Sequence, residues 1–579
     1  MKISFWFLDI NYEVRNNQPE IWLWGLNKNG KRLLIIDRNF EAYFYAVPKE
    51  EASPEKIAEQ ISKVPSITRF EIVERKYFGK KVQAIKVFCK TPEDMPRCVK
   101  NIKKLDGVKE CFEDDIRYSM RYLIDNGVVP CGWHEIEAKE AKEEINAKVD
   151  AVYVAESPPK HVESAYTPQL KILGFSIICY SPHGMPKPER NPVVAISVAT
   201  NSGEEKQFVA ENGDDKLVLE AFTDYVQLFD PDIIVGYGSN RQDLPYLKRR
   251  CAVHGIRLRL DRVNGEPHTS VYGHVSITGR ANLDLLDFAD EFPEVKVKTL
   301  ENLADYLGVM KLSERTLIED VDYAEYWEKP EKREDLLKFS MENTKCIMGI
   351  TDAVLDFAVQ LSSLVGLPLD HVGTAAVGFR VEWFLIKHAY KIGELVPKRK
   401  ERPYLPYAGA IVLPPKPGIH EQIAVLDFKA MYPNIMVAYN LSPDTYVSPN
   451  EPQPPSGVFE APEVGHKFRK EPPGFYKEVL TYLISVRDKI RSKLKGLPPD
   501  SGEYRVLNAR QKAVKIITNA SYGYAGWIGA RWYIKPVAEA ATAWGRNIIS
   551  NAVKIAETLG VAVIYGDTDS LFVKHEPEK

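Results

Sequence analysis

Three aspartates carry the first chemical signal in this chain. Asp567 and Asp569 lie one residue apart in Ile564-Tyr565-Gly566-Asp567-Thr568-Asp569-Ser570, between the apolar runs 561–564 and 571–573. That pattern predicts a β-hairpin with carboxylates at its tip. On its own it would read as an ordinary turn, because Asp bonds readily to its own backbone there. The third acid, Asp427, ends the strand pattern Ile423-Ala424-Val425-Leu426-Asp427. The chain then enters 429–435, where Pro433 suits the first turn of a helix. An acid at the end of a buried strand either caps the next helix or meets a cation. Asp427 and Asp569 are 142 residues apart, yet two acid-tipped strands can be neighbours in one sheet. Together they would offer hard oxygen ligands to Mg²⁺. Two such ions can clamp the attacking and leaving oxygens of an in-line displacement at phosphorus.

A basic segment between these acids would complement them. Residues 487–515 carry nine Lys and Arg against three acids. Arg487, Arg491 and Lys495 repeat at i, i+4, i+8 and share one helix face. Gly496 to Gly502 breaks that helix. A second helix aligns Gln511, Lys515, Asn519 and Tyr522. Lys515 stands among Ala513, Val514, Ile516 and Ile517, which places it off an ordinary exposed surface. Arg and Lys converging in this way suit a triphosphate, since charge-assisted bonds to phosphate are strong. The bland reading of the first helix is a solvated face.

These motifs, in this order, resemble those of archaeal family B DNA polymerases. Asp427-Phe428-Lys429-Ala430-Met431-Tyr432-Pro433 resembles the first polymerase motif, 515–523 the second, and Tyr565 to Ser570 the third. The resemblance runs over essentially the whole chain. It implies that Asp427, Asp569 and the Phe428 carbonyl hold two Mg²⁺ ions, with Asp567 close by as a weaker ligand. It also implies that Arg487, Arg491, Lys515 and Asn519 grip an incoming dNTP, with Lys515 acting on the reacting phosphate. Tyr432 would pack on the sugar and reject a 2′-hydroxyl, with Tyr522 on the same face as Lys515. The implied substrates are primer-template DNA and dNTPs.

The implied 3′–5′ exonuclease site looks dismantled. Where the family carries Asp-x-Glu, this chain has Ser176 and Ile178. The second motif keeps Asp243, but Gly238 and Gln242 replace Asn and Phe. The third has Phe339 and Asn343 in place of Tyr and Asp. One of four expected carboxylates remains, so proofreading is expected to be lost. Tyr407-Ala408-Gly409-Ala410 resembles a Tyr-x-Gly-Gly segment, with Ala410 for the last Gly. The N-terminal domain resembles the archaeal module that reads template uracil. Tyr12 and residues 91–96 fall near its pocket, and Met95, in place of the family's usual Val, would close it; a plain RNA- or DNA-contacting fold with no pocket is the alternative reading.

The implied fold is multidomain α/β and α+β, with family B polymerase architecture. The expected order is an N-terminal domain at 1–165 and an RNase H-like exonuclease domain at 166–354. A return to the N-terminal domain follows at 355–395. Then come palm at 396–476, helical-hairpin fingers at 477–527, and palm again at 528–579. Lys139 to Lys148 is expected to be a charged helix, and the Pro-rich 451–474 a loop. The family continues into a thumb that this sequence does not include. The chain therefore resembles the large subunit of the two-piece family B polymerase of thermophilic methanogens. A separate C-terminal subunit would supply the remaining palm and the thumb, and with them any contact to a sliding clamp.

Composition agrees with this layout. The 579 residues suffice for three to five domains. Net charge is −3, so nucleic-acid binding rests on local patches. Seven cysteines without CxxC spacing point to a reducing cytoplasm rather than to zinc or disulfides, and the resemblance implies association with the nucleoid. No apolar run approaches the roughly 18 residues a membrane span needs. A catalytically dead scaffold subunit is the rival reading, but it would have no need of the acids and cations above.

Overall fold

The N-terminal strands close on themselves. In this computed structural model, which describes residues 1–164, 166–211, 213–270 and 273–574, Lys2–Arg15 pairs antiparallel with Gln18–Leu26. Asn16 and Asn17 turn that hairpin at φ 52° and 59°, the left-handed pair that tight hairpins favour. Arg32–Asp37, Ala151–Ala155 and Trp133–Glu140 continue the sheet, and the last returns to the first strand. Lys160–Val162 also pairs with Trp133–Glu140 and remains a short edge strand. The segment expected to be a charged helix is no helix. Lys139 and Glu140 end a strand, and 141–150 is irregular. Its alternating Ile145, Ala147 and Val149 pack on Trp22, Trp24, Leu34 and Ile36, a two-residue period that the charges obscured.

Two compact units divide the chain. One comprises Met1–Glu41 with Arg117–Ala376, the other Ala42–Ile116 with Val377–Lys579. These units cut across the expected 1–165 and 355–395 segments. In the first unit, Ile172–Cys179 is the middle of a five-stranded mixed sheet. It runs antiparallel to Val193–Thr200 and parallel to Ile233–Gly236, with Ala281–Asp284 beyond. The 36-residue helix Pro330–Val365 packs on this sheet. By length and composition alone, this helix contains a window apolar enough to cross a membrane, contrary to the sequence expectation. Half of that window is buried inside the protein, as in the core helix of a globular domain.

In the second unit, Ala42–Pro48, Ile67–Tyr77, Lys80–Cys89 and Val108–Phe112 form one antiparallel sheet. The helix Val377–Ile392 packs against Gly502–Ala525, where buried Glu382 accepts from the Tyr524 hydroxyl at 3.0 Å. Another sheet orders its strands as Val412–Leu413, Ala562–Asp567, Ser570–Lys574 and Ile423–Asp427. The stretch expected as a loop at 451–474 includes Val458–Glu460 and Lys467–Arg469. These pair with each other and, through the latter, with Tyr446–Val447. Fully buried Phe468 anchors them.

Candidate active site

The sheet register brings the distant acids together. Asp427 faces Ser570 across the Ile423–Asp427 and Ser570–Lys574 ladder. The Phe428 N–H donates to the Asp569 carbonyl at 2.8 Å. Asp567 ends one hairpin strand, and Thr568 turns the chain at φ 54°. The Thr568 N–H donates to the Ile411 carbonyl at 3.0 Å, tying the hairpin tip to the strand's other neighbour. Burial, then Asp427, then Asp567 push the Asp569 carboxyl above its ordinary range. Three acids are thus held close enough to repel, which is a donor set suited to hard cations. The Asp567 carboxylate accepts from the Thr568 hydroxyl at 2.8 Å and the Tyr565 hydroxyl at 3.3 Å. Asp427 is exposed, and its strand is not the buried one expected. The strand is a sheet edge, with Val425 and Leu426 57% and 55% exposed.

Two helices stand beside this sheet. Phe475–Leu494 carries Arg487 and Arg491, and Gly502–Ala525 carries Lys515, Asn519 and Tyr522. Ser501 caps the second through the Tyr504 N–H at 3.1 Å. Lys515 is exposed rather than recessed, because the helix buries Ala513, Val514, Ile517, Thr518, Ser521 and Tyr524 instead. Its apolar sequence neighbours lie on that other face. Burial and Arg491 depress the Arg487 guanidinium, so two cations already crowd one another there.

The rings of Tyr432 and Tyr522 stack at 4.2 Å and 16°, joining the helix Met431–Ala438 to Gly502–Ala525. Gly545 admits this stack, since a Cβ there would meet Tyr432 Cε1 at 3.1 Å. Sequence reasoning missed three supporting residues. Lys429 pairs with Asp488 at 2.9 Å, linking the strand end to the Phe475–Leu494 helix. Arg546 donates to the Ala408 and Gly409 carbonyls at 2.9 and 2.7 Å. Thr542 donates to the Ala408 carbonyl at 2.8 Å. Both hold the Tyr407–Ala410 segment. The only sequence signal for Arg546 and Thr542 was their place on the apolar-periodic helix Lys535–Thr558.

The first unit treats its motif residues differently. Ser176 donates to the Ser340 carbonyl at 3.0 Å and meets Thr344 Oγ1 at 2.8 Å, fully inside the protein. Ile178 is 1% exposed and belongs to the core, as does Phe339. Asn343 accepts from the Arg315 guanidinium, which also reaches Cys346 Sγ at 3.4 Å. Asp243 is pushed up to about 7 by burial and by Asp284. Asp284 ends the strand Ala281–Asp284, and burial raises it to about 6. Its carboxylate accepts N–H groups of Gly238, Asn240 and Leu286 at 2.7, 2.9 and 3.1 Å. The sequence reading missed Asp284, although it too is an acid ending a strand. Tyr12 belongs to this unit, its ring edge-on to Tyr118. Met95 belongs to the other unit and is 8% exposed at the start of its helix.

Comparison with known proteins agrees with this geometry. The sequence profile of DNA polymerase family B matches residues 367–579, and that of its exonuclease domain matches 109–303. DNA polymerase 2 of Aeropyrum pernix is 46% identical over all of this chain, which covers 73% of that protein. The DNA polymerase of Archaeoglobus fulgidus is 37% identical over 99% of this chain and 70% of its own length. The structure of the family B DNA polymerase from Pyrobaculum calidifontis matches with a TM-score of 0.92 and 48% identity. That match covers 99% of this chain and 75% of the other.

Proposed function

Because this chain belongs to DNA polymerase family B, and is a DNA-directed DNA polymerase, we propose that its chemistry runs at the Asp427–Asp569 junction. The register that sets Asp427 opposite Ser570 and ties Phe428 to Asp569 carries this reading. Asp427, Asp569 and the Phe428 carbonyl would hold divalent metal, Mg²⁺ by the hardness of the donors, with Asp567 shaping the tip. The metal supplies charge neutralisation at the reacting phosphate. Arg487, Arg491, Lys515 and Asn519 bind and orient the triphosphate of a dNTP. The Tyr432 ring, backed by Tyr522, sets the floor for its sugar. Palm then corresponds to 396–476 and 528–579, fingers to 477–527, and the exonuclease-type domain to 166–354. The enzyme works on primer-template DNA in the cytoplasm.

The exonuclease domain is present, and on this reading it no longer proofreads. Ile178 in the core, the Ser176–Thr344 hydroxyl pair and the Arg315 guanidinium on Asn343 support that loss. This chain covers 73% and 70% of the length of the two relatives named above, and the exposed apolar edge at Val425 and Leu426 calls for cover.

The test is primer extension with Mg²⁺ and dNTPs, run on matched and 3′-mismatched primers. Extension of the matched primer without excision of the mismatch is expected. Excision would overturn the loss of proofreading. Extension that survives Asp427→Asn would overturn the assignment of the chemistry to the Asp427–Asp569 junction.

A further inference from the structure

Among the described residues, one buried cluster outside the polymerase site has metal-ligand character. His274 follows the strand His268–Thr269, and Asp370 and His371 are consecutive in the helix Leu369–Thr374. All three lie in the first compact unit. Their ligand atoms lie within 4.8 Å of one another. His274 Nε2 is 3.9 Å from Asp370 Oδ2, and His371 Nε2 is 3.8 Å from Asp370 Oδ1. Four ligands about 2.0–2.1 Å from a tetrahedral ion sit roughly 3.4 Å apart, so the two His–Asp spacings need contract by only about half an ångström.

The site is enclosed and lined by nitrogen and oxygen ligand atoms. Asp370 is 4% exposed, and its neighbours at ion-pair distance are the two imidazoles. Burial raises its carboxyl to about 7. Asp9, buried on the first strand, is raised well above its ordinary range by burial and by the Asp370 charge. Two acids thus share an enclosed space. Burial, the ring of His371 and Arg117 hold His274 down to about 2. Burial and Arg117 hold His371 to about 4. Both rings are therefore neutral, as metal ligation requires. The rings sit 4.0 Å apart. Nδ1 of His274 is fixed by Ser270 Oγ at 2.7 Å, the kind of outer contact that orients a ligating imidazole. Ser276 Oγ lies 2.8 Å from His274 Nε2 and 3.4 Å from Asp370 Oδ2. Rotating that hydroxyl aside opens the gap between two ligand atoms.

A second cluster, Asp214, Asp215 and His254, gives the contrast. There the Arg250 guanidinium grips Asp215 at 2.7 and 2.9 Å and supplies the cation itself.

We propose that His274, His371 and Asp370 form a structural Zn²⁺ site, with Asp9 adding negative charge, that clips the Leu369–Thr374 helix to the sheet region around His274. Two imidazoles and a carboxylate suit zinc.

The test uses the full chain, stripped with chelator and dialysed against Zn²⁺ in excess Mg²⁺, which occupies the polymerase site. Elemental analysis after gel filtration is expected to find one zinc per chain, with a raised melting temperature. His371→Ala and His274→Gln lose the zinc but keep primer extension. Ser270→Ala weakens binding by roughly 10-fold. Replacement by Co²⁺ gives the visible spectrum of a tetrahedral site in the parent and not in His274→Gln. A folded parent that retains no zinc sinks the proposal, and that measurement needs no variant to fold. Zinc retained equally by both histidine variants sinks it too.

Discussion

Asp427 and Asp284 each end a β-strand, and their fates differ. Asp427 is exposed at a sheet edge, one peptide from the Phe428–Asp569 bond, with two more acids beside it. Asp284 is buried, and three backbone N–H groups saturate its oxygens. A carboxylate that the protein has already satisfied has little left to offer a metal. One left open beside two other acids keeps its oxygens available to a cation. The difference teaches that strand-end acids are read by their hydrogen-bond partners, not by their position.

The sharpest break would come from paired amides. Asp427→Asn should lower single-turnover dNTP incorporation by roughly 10³-fold and leave the melting temperature unchanged. Asp284→Asn should leave incorporation intact and lower the melting temperature, because an amide cannot accept the same three bonds. If both variants keep full incorporation, the contrast collapses. Next in size, Lys515→Ala should reduce incorporation efficiency by about 10²-fold, read as kcat/KM for dNTP at saturating DNA. Rebuilding the lost motif by Ser176→Asp with Ile178→Glu should not restore mismatch excision. It should destabilise the first unit by about 3–5 kcal/mol, the penalty for an unpaired buried charge. Excision in that variant would mean that residue type, not packing, silenced the site.

The placement of the candidate site's residues was partly legible because the motifs are contiguous. Asp427 to Pro433, Lys515 to Gly523 and Tyr565 to Ser570 each carry several functional groups in one element. What stayed hidden depends on distant partners. Arg546 and Thr542 act on carbonyls of 408–409 through a helix whose pattern speaks only of burial. The exposure of Lys515 was missed because apolar sequence neighbours can occupy the opposite helix face. The irregular 141–150 segment was misread because its charges outnumber the alternating apolar residues that anchor it. The division at Ala42 and Arg117 leaves no mark in composition, since contacts made far along the chain decide it.

The smallest test concerns acidity in the first unit. Asp243 titrates near 7, raised by burial and Asp284. A carboxyl raised on folding lends stability below its unfolded value, near 4, and loses it as pH climbs through 7. The parent should therefore weaken between about pH 4 and 7, while Asp243→Asn should flatten that slope. Calorimetry at the two ends reads the difference. Parallel curves for the two proteins would show that Asp243 titrates normally.

Thr568 has a further consequence. It is β-branched, yet it holds φ 54° between the two hairpin acids, a conformation that strongly disfavours such side chains. Glycine there would relax the backbone by about 1 kcal/mol, and it would also remove the hydroxyl that donates to Asp567. Thermal robustness and turnover therefore pull this position in opposite directions. Selection for heat resistance alone should drift toward glycine, and selection for replication speed should hold threonine.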